Sequence, residues 1–198
     1  MTIGQQTPGT RPPAPASLDA AFRDRARPFT TVVEAVEDWD APSPCAGWSA
    51  RDVLEHVLST QREFLAARGH PVPGGADEEP ARAWAAHHRE VDALLADPDV
   101  AGQPYDSAFG PSTLGATLIE FYGFDLIVHR WDIARSQGLD ERFTPQEITL
   151  IDAAVDSWGE HAYAPGIFAH ALPVAPEADA QARVLARMGR MGRMGRSS

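Results

Sequence analysis

The sequence predicts an all-α protein, a helical bundle in a single domain. Three observations carry this. Apolar residues recur at three- and four-residue spacing through most of the chain, no segment sustains the apolar-polar alternation of a strand, and the periodic segments begin and end at capping signals. At 198 residues, 43% hydrophobic and 23% charged, the chain can bury one substantial core and is short for two.

Residues 1–16 contain Pro8, Pro12, Pro13 and Pro15 and read as a disordered or extended leader. A single helical domain is expected over 17–187. Its first helix opens at Ser17 as N-cap and runs to about Val36, with Phe22, Ala26, Phe29, Val32 and Val33 inward, and Pro28 predicts a kink or a split. Asp40 to Trp48 is a proline-pinned loop. Ser49 and Asp52 then form a capping box, with Trp48 and Val53 as hydrophobic staple, and the second helix runs to Arg68 and stops at Gly69.

A Pro/Gly loop leads to a third helix from Pro80 to Leu95 or Ala96, whose stripe is Trp84, His88, Val91 and Leu95 with His87 beside it. Adjacent helical residues point about 100° apart, so His87 and His88 cannot both face one ion, and His88 is the better placed for lining a site. After a loop from Asp97 to Pro111, a fourth helix starts with Ser112 or Thr113 as cap, extends to Gln137 and closes at Gly138. Gly115 and Gly123 interrupt it, which predicts close approach of a neighbouring helix or ligand. Thr144, Pro145 and Glu147 open a fifth helix through Trp158 to about Tyr163, and Phe168, His170 and Leu172 pack over the bundle from an irregular segment. A short sixth helix is expected over Glu177 to Met188. Residues 188–198 repeat Met-Gly-Arg and read as a flexible basic tail that neutralises an acidic body.

The formal net charge of −11 argues against nucleic acid or anionic membrane as partners. All basic residues are Arg, so Schiff-base chemistry and a P-loop lysine are excluded. No apolar run is long enough to span a bilayer and the first sixteen positions lack a signal-peptide core, so a cytoplasmic location is expected. The lone Cys45 excludes an internal disulfide and is expected to pack rather than act as a nucleophile. A homodimer is compatible with the sequence but not required by it.

The richest stretch is Phe121 to Arg135. Asp125 and His129 stand one helical turn apart on an otherwise apolar face, where a carboxylate and an imidazole must satisfy each other or share a cation. His56, on an apolar stripe of the second helix, supplies a third leg, and His56, Asp125 and His129 make a two-nitrogen, one-oxygen set with a fourth position open. A structural Asp-His hydrogen bond in a core is the competing reading. Asp132 and Arg135 are candidates for orienting the ligands, with a salt bridge on the helix face as the alternative for each, and Arg130 and Trp131 are expected to serve packing and solvation.

Two segments resemble a known family. Ser43-Pro-Cys-Ala-Gly-Trp-Ser-Ala-Arg-Asp-Val-Leu-Glu-His56 and Asp125-Leu-Ile-Val-His-Arg-Trp-Asp-Ile-Ala-Arg-Ser-Gln-Gly138 are similar to the two signatures of the DinB-like branch named after mycothiol-dependent maleylpyruvate isomerase. The resemblance implies a four-helix bundle with one long crossover, here with extra C-terminal helices. It also implies a divalent metal, usually zinc, held by His56, Asp125 and His129. In such proteins a metal-bound thiolate from mycothiol or bacillithiol attacks a small electrophile, by isomerisation or S-transfer. The isomerase has glutamate where this chain has Asp125, and carries an α/β domain where this chain continues as helix and loop. A metal-binding, stress-associated bundle without thiol chemistry and a metal-dependent hydrolase stand as alternatives.

Overall fold

The computed structural model of the protein describes residues 17–75, 78–107, 110–164 and 167–191. The leader expected over 1–16 and the end of the expected tail lie outside them. Helix α1 (Leu18–Glu34) carries Pro28 without splitting. The carbonyl that Pro28 leaves without a donor belongs to Asp24, an exposed residue that water can reach. Helix α2 (Ala50–Ala66) starts with the expected capping box: Ser49 accepts from the Asp52 amide, and Asp52 accepts from the Ser49 amide at 2.8 Å. Helix α3 (Pro80–Ala96) opens on Glu79, whose carboxylate accepts from the amides of Ala81 and Arg82.

The segment expected as loop folds into a short helix, α4 (Pro98–Ala101), and an antiparallel hairpin of β1 (Pro104–Ser107) and β2 (Gly110–Thr113), with Pro104 opposite Thr113. Strands of four residues are too brief to show alternation, so the expectation of no strands is corrected here. The hairpin is the one sheet among the described residues, and the fold remains all-α in character.

Helix α5 (Leu114–Thr117), a π-turn (Leu118–Tyr122) and α6 (Gly123–Ser136) form one continuous run capped by Thr113. Both glycines in it mark close approach, as expected. A Cβ on Gly115 would lie 3.0 Å from the Ala101 carbonyl, and one on Gly123 would lie 2.7 Å from Cδ of Arg25. The Arg25 guanidinium crosses Gly123 to donate to the Ile119 carbonyl within the π-turn.

Helices α1 and α2 each pack on both α3 and α6, which closes a four-helix bundle around Phe22, Phe29, Leu54, Leu65, Trp84 and Leu118. Helix α7 (Pro145–Trp158) begins with the Thr144/Glu147 capping box and ends in a 3-10 turn (Gly159–Tyr163). It pairs with α8 (Ala180–Arg187) over a second apolar cluster that takes Phe124, Val128 and Trp131 from the far side of α6. Helix α6 is therefore covered on two opposite faces, and Asp125, Arg135 and Ser136 are its partly exposed residues. Arg130 accordingly does not reach solvent: it ion-pairs with Glu141 at 2.8 Å and Glu147 at 2.7 Å, tying α6 to the start of α7.

The two histidines of α3 exchange their expected places. His87 is the buried one, 1% exposed, with its Nε2 3.0 Å from Gln61 Oε1 on α2. His88 is half-buried and stacks on Trp84 at 5.4 Å. Burial, helped by Arg62 and His88, pushes the His87 pKa from 6.5 down to about 3. The folded state therefore refuses a proton that the unfolded chain accepts below pH 6.5, and stability should fall as pH drops through that window toward about 3. From pH 7 to pH 5 the loss should be about 2 kcal/mol. Urea unfolding at both pH values should show it in the native protein, and His87→Gln should be that much less pH-sensitive.

Candidate metal centre

The loop before α2 shapes one wall of the site. The Ser43 amide donates to the Trp48 carbonyl at 2.8 Å, the Trp48 amide donates to the Cys45 carbonyl at 3.0 Å, and Gly47 supplies the positive φ of 80° that this turn requires. The turn lays the Trp48 ring, expected as a staple on Val53, against the candidate ligand His56 at 5.0 Å. The capping box fixes where α2 begins and hence where His56 points.

From α6, Asp125 and His129 meet His56. Their donor atoms lie within 4.8 Å of one another, with Asp125 Oδ1 3.2 Å from His129 Nε2 and the two imidazole rings 5.2 Å apart at 73°. The structure thus brings together the three residues expected to hold a metal. His87 and His88 lie elsewhere, on α3, and neither lines this site.

Asp132 orders the centre. It is fully buried, and its Oδ2 lies 2.9 Å from His129 Nδ1. Arg190 donates to both carboxylate oxygens, Nε to Oδ1 at 2.9 Å and Nη2 to Oδ2 at 2.7 Å. Burial alone would raise the Asp132 pKa, but Arg190 and His129 hold it well below the usual carboxylate range. A carboxylate at Nδ1 makes that nitrogen the donor, which leaves the Nε2 lone pair facing Asp125 and His56.

Two electron-rich atoms 3.2 Å apart need a positive charge between them. The competing reading, a hydrogen bond between Asp125 and His129, supplies it as a proton: burial opposes the imidazolium, yet Asp125 and the hydrogen bonds to Asp132 and Cys45 raise the His129 pKa well above its usual value. That arrangement leaves Asp125 Oδ2 buried without a hydrogen-bond partner. It also leaves the role of His56 unexplained; burial, partly offset by Asp125, keeps that side chain toward its neutral, ligating form. A divalent ion accounts for all three residues. The donor set and the orphaned oxygen fit such an ion.

The sequence reading missed Arg190. It stands in the first Met-Gly-Arg repeat, assigned above to a flexible tail, yet it is 8% exposed and Met188 is buried. The boundary drawn before Met188 is corrected accordingly. Helix α8 ends in a Schellman motif: Gly189, at φ 72°, donates to the Ala186 carbonyl and Arg190 to that of Leu185. A glycine directly after an amphipathic helix was the available signal, obscured by the two repeats that follow. Arg135, by contrast, donates to the Leu139 carbonyl at 3.2 Å, in the turn that follows α6, and does not line the cleft. Cys45 packs against the bundle core as expected, with Sγ 3.3 Å from Asp132 Oδ2, at the edge of the site.

A cleft of about 840 Å³ opens beside His56, Asp125 and His129, walled by Phe121, Phe124, Trp158 and Phe168 and closed on one side by Arg190. Replacing Arg190 would leave Asp132 buried and uncompensated, at a cost of about 3–5 kcal/mol. Thermal unfolding followed by circular dichroism should show Arg190→Met melting about 10 °C below the native protein. An unshifted melting curve would refute the clamp.

The family model described as the mycothiol maleylpyruvate isomerase N-terminal domain matches residues 20–134. No curated protein and no solved structure matches.

Proposed function

Because the chain belongs to the mycothiol maleylpyruvate isomerase N-terminal domain family, a DinB-like family, we propose that it is a metal-dependent thiol S-transferase or isomerase. In this reading it holds a divalent, zinc-like ion at His56, Asp125 and His129 and uses a cytoplasmic low-molecular-weight thiol, mycothiol or a relative, against a small electrophile. One observation carries the proposal: the unpartnered Asp125 oxygen beside an imidazole nitrogen whose lone pair Asp132 has oriented inward. Two nitrogens and one oxygen suit zinc and leave a fourth position open toward the cleft. An ion bound there supplies the Lewis acidity that keeps a thiol ionised near neutral pH.

The chain's own residues do the rest. Asp132 and Arg190 fix the orientation of His129, and the Trp48 ring packs against His56. Tyr122 is no proton donor: its hydroxyl is committed to the Thr60 carbonyl at 3.1 Å, and burial raises its pKa above the usual value. A hydrolase would use the ion to ionise bound water, with a nearby carboxylate as base. Asp132 is tied to Arg190 and His129 and is not that base, so Glu63 is the cleft carboxylate a hydrolase would draw on; the family match is what favours a thiol as the nucleophile. A bundle that merely stored metal would have no use for the cleft.

Protein purified without added metal should contain close to one equivalent of a transition metal by elemental analysis. His56→Ala and His129→Ala should each hold less than about a tenth of that while keeping native helix content. Millimolar low-molecular-weight thiol should raise the melting temperature of the metal-loaded protein and leave His56→Ala unmoved. An equal shift in both, or none in either, would remove the thiol from the reading.

A further inference from the structure

We infer that the electrophile recognised here is an uncharged aromatic molecule rather than a carboxylate. The inference rests on the proposed reading of the metal centre for the word electrophile, and on the cleft alone for the rest.

The wall facing the ligands is aromatic. Trp158 meets Phe124 edge-on at 5.0 Å and stacks on Phe168 at 5.9 Å and 26°, while Phe121 lies 5.9 Å from Trp158 at the mouth. Three large apolar side chains that line this cleft are left open to solvent: Trp48 at 36%, Phe121 at 41% and Ile167 at 44%. A soluble protein that keeps such surface gathered in one concavity has an apolar ligand for it. The Phe124, Trp158 and Phe168 rings already pack edge to face and face to face on one another, and an aromatic ligand would extend the same contacts.

The charges point the same way. Asp125 and Glu63 are the acidic residues of the cleft, and among its described residues Arg190 is the only arginine. Its guanidinium is spent: Nε and Nη2 donate to Asp132 and Nη1 to the Met188 carbonyl at 3.3 Å. The two imidazoles face Asp125. A divalent ion among them would be neutralised by Asp125 and one thiolate, leaving no positive charge for a substrate carboxylate. A dicarboxylate would exchange its hydration for an acidic, aromatic cavity with nothing to pair it. An uncharged ring would exchange water for rings.

The test compares 2-naphthol, 2-naphthoate and maleate by isothermal titration calorimetry. Two forms of the full chain are used, one stripped of metal and one loaded with zinc and saturated with 2-mercaptoethanol. Both should bind 2-naphthol at least tenfold more tightly than 2-naphthoate and show no maleate binding. Phe121→Ala, at an exposed position that leaves the fold intact, should weaken 2-naphthol at least fivefold, and Phe121→Arg should strengthen 2-naphthoate at least fivefold. Equal or tighter binding of either carboxylate in either form overturns the inference, as does Phe121→Ala binding like the native protein. Binding to the stripped form requires neither metal nor thiol, so failure here is distinguishable from failure of the thiol reading, which the melting shift in His56→Ala reports separately.

Discussion

The structure depends on one buried carboxylate. Asp132 has no access to water, and an unpaired ion in that position would cost several kcal/mol. Arg190 offsets it with a forked pair of hydrogen bonds, and His129 uses the remaining capacity. Because a buried ion pair is an uncertain source of net stability, its value here lies in what it orients. It sets which nitrogen of His129 carries the proton, and therefore which one is free for an ion. Arg190 can reach Asp132 only because α8 ends in a glycine cap that turns the chain inward. The helices after Gly138 are thus part of the centre, although no residue of theirs belongs to the ligand set.

That dependence explains why α6 lies between two cores. One face packs with α1 and α2 and the opposite face with α7 and α8, so the strip carrying Asp125, His129 and Asp132 is held from both sides. Arg130 and its two glutamates fasten the second pair of helices to the first. The π-turn just before α6 adds a residue to the helical run immediately ahead of Asp125, and the Arg25 guanidinium binds the Ile119 carbonyl there. Such single widened turns often accompany functional sites, because they reset the direction of the side chains that follow.

Much of this was legible in the sequence, where local physics determines the outcome. Ser49 with Asp52 and Thr144 with Glu147 announced two helix starts, and Gly69 and Gly138 two ends, because caps are written within a few residues. Asp125 and His129 were readable as a pair because helical spacing brings residues four apart together, and the bundle brings His56 to them. The features missed are those that distant contacts decide. The choice between His87 and His88 depended on which one α2 would meet with Gln61. Arg130, Arg135 and Arg190 look alike in sequence, yet one is a buried strut, one ties down the turn after α6 and one clamps Asp132. Arginine is long enough for any of these roles, and only the partner within reach tells them apart.

The two departures from the isomerase pattern can be weighed on the same geometry. An aspartate at position 125 is one methylene shorter than a glutamate, yet its donor oxygen already lies within 4.8 Å of both imidazole nitrogens. The shorter side chain therefore does not take the carboxylate out of the ligand set; with fewer rotatable bonds it also loses less freedom when fixed. The second departure concerns what covers the ligands. Here Phe168, Met188 and Arg190, all from the segment after α7, close the cleft. The cleft is walled by rings, and the one arginine among its described residues is already engaged by Asp132. The segment that supplies the clamp on Asp132 thus also supplies one wall of the cleft beside His56, Asp125 and His129.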